Sequence, residues 1–159
     1  MAITYEPIAT NTLSSATSSV TFSSIPQTYT DLVLVVFGKN TSTADNFQLT
    51  MNNDTASNYS YVFFAGNGSS SSTGIAANAT PMYVGNMPSS AFALNTIHIN
   101  NYTNTTSYKT ALSFVGGNNA QTWVNSWRSN TAITTLKIGT GTGNYAVGSS
   151  FTLFGIKAA

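Results

Sequence analysis

Cysteine is absent from this 159-residue chain, and charge is nearly so: five bases, four acids and one histidine leave 6% of residues charged and a net charge of +1. An average soluble domain carries about a quarter. Without cysteine there are no disulfides and no thiolate metal sites, but a chain of this length buries enough surface to hold one domain, residues 1–159, without such staples. The bases Lys39, Lys109, Arg128, Lys137 and Lys157 are scattered, so no basic patch exists to neutralise phosphates, and a nucleic-acid partner is not expected. Catalysis draws on titratable groups placed together, and the supply is Glu6, Asp31, Asp45, Asp54 and His98. With no Gly-x-Ser-x-Gly elbow either, the expectation is a protein that is not an enzyme and needs no cofactor or metal. The segment Met1–Pro7 lacks the basic and apolar regions of a signal peptide, and no apolar run reaches membrane-spanning length. The chain is expected to be made in the cytoplasm, with no membrane as partner. Helical periodicity is missing as well.

What fills the sequence instead is hydroxyl and amide: 25 Thr, 21 Ser and 18 Asn. Seven Asn-x-Ser/Thr sequons follow by chance from such a composition. Asn52, Asn53 and Asp54 offer oxygens in one turn, but the spaced acids of a calcium loop are missing, so an Asx turn is the expected reading. His98 alternates with Ile97 and Ile99 and is expected at solvent or a subunit contact. The aromatic residues Tyr59, Tyr61, Tyr83, Tyr102, Trp123 and Trp127 suit sugar stacking as well as core packing.

The pattern is that of strands. Asp31–Phe37, Asp-Leu-Val-Leu-Val-Val-Phe, is the long unbroken apolar run; at period two it presents Leu32, Leu34 and Val36 on one side and Val33, Val35 and Phe37 on the other, so both sides ask for cover. Burying these side chains supplies roughly 10 kcal/mol of gross driving force. Around this strand, Ile8–Leu13 and Val20–Phe22 read as short strands, Pro26 marks a corner, and Phe47, Leu49 and Met51 alternate inward. Tyr59–Ala65, Met82–Met87, Phe92–Ile99, Tyr108–Val115, Ile133–Ile138 and Phe151–Ile156 are further strands. Gly66–Gly74 reads as an exposed loop with a tight turn at Asn67-Gly68, and the segment framed by Trp123 and Trp127 carries no clear assignment. About eight to ten short strands with turns between them predict an all-β, two-sheet antiparallel sandwich, jelly-roll-like, with a closed barrel as the alternative.

Four passages taken together, Phe22–Val35, Asn52–Ser60, Asn101–Lys109 and Trp127–Ile156, resemble a recurrent β-rich module of tailed-bacteriophage virion proteins. The resemblance covers most of the chain, from Leu13 to Ile156. It implies a virion structural protein on the capsid exterior, a decoration or cement protein, with no catalytic site to carry over; the alternative is a tail fibre, appendage or carbohydrate-binding adhesion module with a glycan partner. The partners it implies are the major capsid protein and further copies of the chain, as a trimer matching threefold positions of the shell. Tyr83, Phe92 and Trp123, on weakly patterned segments, are the candidate interface residues, expected to find their cover in a neighbour.

Overall fold

The computed structural model describes residues 4–157, and among them there are twelve strands and no helix. In chain order the strands are β1 (Thr4–Thr12), β2 (Ser19–Phe22), β3 (Asp31–Gly38), β4 (Asp45–Met51), β5 (Tyr59–Gly66) and β6 (Ser71–Ala79). They continue with β7 (Met82–Met87), β8 (Ala93–Asn100), β9 (Lys109–Gly116), β10 (Ala120–Trp127), β11 (Leu136–Thr140) and β12 (Ser150–Lys157). Eight form one antiparallel sheet in the order β1-β12-β3-β8-β9-β10-β5-β6, and β2-β11-β4-β7 form a second that packs on one side of it. The two-sheet sandwich is the expected class; its strands number twelve rather than eight to ten, and they divide unequally.

The core fills the space between the sheets. From the large sheet come Leu32, Leu34, Val36, Ile97, Ile99, Phe151 and Leu153, all fully buried. The small sheet answers with Phe47, Leu49, Met51, Met82, Val84, Leu136 and Ile138, buried to the same degree. Strand β3 lies between β12 and β8, as its apolar run requires, with Leu34 opposite Leu153 and Ile97. Its other side is where expectation and structure part. Val33 is buried, but Phe37 is 43% exposed, because among the described residues no second layer lies over that face of the sheet.

Two local assignments are corrected, and one segment without an assignment gains one. Only residues 67–70 of the expected Gly66–Gly74 loop are a turn; Ser71 onward is strand β6, which reads as loop because as the last strand it buries neither face. The Trp123–Trp127 segment is β10, whose inward positions Gln121, Trp123, Asn125 and Trp127 mix amides with indoles and so hide the apolar alternation. Ile133–Thr135 is not strand, since the amides of Thr134 and Thr135 donate to Asn52 Oδ1 and that of Ile133 to the Tyr102 carbonyl. The corner at Pro26 stands as expected: Tyr102 Oη donates to the Pro26 carbonyl, and Gln27 Nε2 donates to the carbonyls of Ile25 and Ile133.

Candidate interaction surface

The uncovered face of the eight-stranded sheet is built from the side chains that the core does not take. Strand register aligns them in rows across the sheet. One row runs from Phe154 through Val33, His98, Leu112, Val124 and Val62 to Ile75. The next places Phe114 and Phe64 either side of Thr122, among Thr152, Val35, Thr96 and Thr73. Phe64 and Phe114 are each more than half exposed, and Ile75 is 83% exposed. In β9 the usual bias is inverted: Ala111 and Ser113 point into the core while the larger Leu112 and Phe114 point out. Apolar side chains on a monomer's surface are ordinary when scattered singly, but a contiguous band of them marks a contact surface. Moving each such side chain out of water is worth about 1.5–3 kcal/mol.

This band is also almost without charge. His98 is its one titratable residue, half-buried between Val33 and Leu112, with its ring edge-on to Phe114 at 6.4 Å. Threonine dominates the remaining positions, offering hydroxyls that pair with a partner or with water.

The residues singled out from sequence fall in two places. Trp123 is buried at 3% exposure, its ring stacked on Phe63 at 4.4 Å and its indole N–H donating to Gln121 Oε1 at 2.9 Å. Its cover is therefore internal, correcting the expectation that a neighbour supplies it. Tyr83 is half-buried against Tyr61, with ring centroids 5.3 Å apart, and shares that aromatic cluster with Trp123 on the inner side of the sheet. Phe92 lies apart from both, stacked on Phe37 at 4.7 Å with Lys39 Nζ 5.4 Å above its ring, and so borders the outward face. The outward Leu112 and Phe114 carry a sequence signal, alternating with the smaller Ala111 and Ser113, whereas Phe64, Leu94 and Ile75 carry none.

Of the aromatics weighed for sugar stacking, Tyr59, Tyr102, Trp123 and Trp127 are buried, and only Tyr61 and Tyr83 keep part of their surface. Between β7 and the β9–β10 turn opens a cleft of about 280 Å³ whose wall mixes the amides Asn86, Asn118, Asn119 and Gln121 with Met87, Pro88 and Val115 and holds no aromatic. In the Asn52–Asp54 turn the side-chain oxygens of Asn52 and Asp54 are engaged within the chain. Asn52 Oδ1 receives two backbone amides, and Asp54 receives Ala56 N–H, Asn58 Nδ2 and Trp127 Nε1. Among the described residues no three His, Cys, Asp or Glu side chains gather as metal ligands.

Comparison of the chain with protein-family models, with curated proteins and with solved structures finds no match.

Proposed function

We propose that this chain is a structural protein of a bacteriophage particle, a capsid decoration (cement) protein on the exterior of the shell. It binds coat subunits through the outward face of its eight-stranded sheet, associates with further copies of itself, and does so without enzymatic chemistry or a bound metal. The observation that carries this reading is the uncharged apolar band of Phe64, Phe114, Leu112 and Ile75 on a face that no described element of the chain covers. The composition supports it: copies that crowd a shell must neither repel one another nor depend on long-range attraction, and a Thr-, Ser- and Asn-rich surface of net charge +1 meets both needs. A shell also multiplies each weak contact over many sites, so a modest apolar band is sufficient for stable coating.

The test is to strip the protein from particles, add it back, and compare their resistance to heat and osmotic shock. Restored resistance on re-addition is the expected result. The cleft at Asn86 and Gln121, where amides stand beside apolar side chains, favours one competing reading, a tail adhesin for polysaccharide. Tight polysaccharide binding, with stripped shells left unbound and no more resistant, replaces the decoration reading with that one.

A further inference from the structure

We propose that β6 is a self-association edge, at which two copies of this chain pair antiparallel about a twofold axis through Thr73 and join their large sheets into one. This goes beyond the virion reading and stands without it. A sheet edge exposes unpaired N–H and C=O groups, and proteins blunt such edges with proline, charge, bulges or short length. Three of the four edges here are blunted. β1 carries Pro7, a register shift between Pro7 and Ala9, and the Glu6–Lys157 ion pair at 3.0 Å. β2 has four residues. β7 bends at Gly85, where φ is 137°, turns the Val84 carbonyl inward to Asn95 Nδ2 and Ser113 Oγ, and gives its Asn86 N–H to Gln121 Oε1 at 3.1 Å. β6 has none of these protections over most of its length: nine residues, Ser-Ser-Thr-Gly-Ile-Ala-Ala-Asn-Ala, without proline, charge or a buried position. Its irregularity, a register shift with Asn78 at φ 59°, lies near its C-terminal end and leaves 71–76 in regular pairing with β5.

The occupant follows from the register. The Asn67 N–H donates to the Ser70 carbonyl at 3.1 Å and closes the β5–β6 hairpin. Antiparallel alternation then directs the N–H and C=O of Ser72 and Gly74 to β5, and those of Ser71, Thr73 and Ile75 to the free edge. These three are symmetric about Thr73. A twofold axis there sets Thr73 against Thr73 of the second copy and Ser71 against its Ile75, so every one of these free groups gains a partner. With no charge on the strand, nothing repels across the axis. Ile75, at 83% the most exposed large apolar side chain among the described residues, then packs beside the second copy's strand, opposite its Ser71. Such an isologous contact closes at two copies, in place of the trimer expected from capsid symmetry.

The mass of the full chain in solution, measured over a range of concentrations, tests this. The expected result is twice 16.7 kDa for the native sequence and 16.7 kDa for Thr73→Pro and for Ile75→Lys, each still melting cooperatively, while Ala9→Lys on the β1 edge keeps the doubled mass. Amide hydrogen exchange covers the case in which a variant does not fold: Ser71, Thr73 and Ile75 exchange more slowly as the native protein is concentrated, whereas Ser72 and Gly74 are protected throughout. A native mass of 16.7 kDa at all concentrations, a trimer, a folded variant that keeps the doubled mass, or exchange at Thr73 independent of concentration overturns the proposal. Capsid binding by a monomeric native chain leaves the virion reading standing and removes this one.

Discussion

Asp54 is one carboxylate with three donors: the Ala56 amide at 2.9 Å, Asn58 Nδ2 at 2.9 Å and Trp127 Nε1 at 2.7 Å. Burial pushes its pKa up, but the hydrogen bonds from Asn58, Trp127 and Ala56 outweigh that and hold it below the ordinary carboxylate value. A folded-state pKa lower than the unfolded one gives stability that is present above the ordinary carboxylate range and lost as pH falls through the folded value. Asp54→Asn replaces one acceptor oxygen with a donor facing donors, and is expected to cost about 1–3 kcal/mol. Thermal melts from pH 7 down to about pH 3 check both parts: a lower melting temperature at neutral pH, and a shallower loss on the acid side than in the native protein. The turn itself was legible in Asn52-Asn53-Asp54. The Trp127 partner was not, because it comes from β10, 73 residues away, and no local pattern records that pairing.

At the scale of elements, the strands that bury one face cleanly were readable. Phe47, Leu49 and Met51 are inward and fully buried, and Leu34 and Val36 have no exposed surface. Leu34→Asp places an unpaired charge between the sheets at a cost of several kcal/mol, comparable with the whole stability of a domain. The expected outcome is an insoluble or unfolded chain by circular dichroism; a soluble variant with a cooperative melt contradicts the place given to β3. Strands at the margins of the core were harder. β6 pairs with β5 alone and buries no side chain fully, and β10 buries Gln121 and Asn125 along with its two tryptophans. The outward face of the large sheet was partly written in β9, where Leu112 and Phe114 outsize Ala111 and Ser113. Periodicity names two faces but not which one the second sheet covers, and the division into eight and four strands decides that.

For the molecule as a whole, one core between unequal sheets leaves a broad face that no described element covers, and an apolar band crosses that face in a chain otherwise rich in hydroxyl and amide side chains. The central claim is that this face binds the shell. Its most direct test is the affinity of the native chain and of a Phe64→Thr/Phe114→Thr variant for stripped particles, measured by co-sedimentation. Threonine keeps the β preference of both positions, so equal melting of the two proteins establishes that the fold is intact. Burial of two phenylalanines is worth about 3–6 kcal/mol and each 1.4 kcal/mol is tenfold in affinity, so the variant is expected to bind at least tenfold more weakly. A folded variant that coats stripped particles as tightly as the native chain contradicts the account.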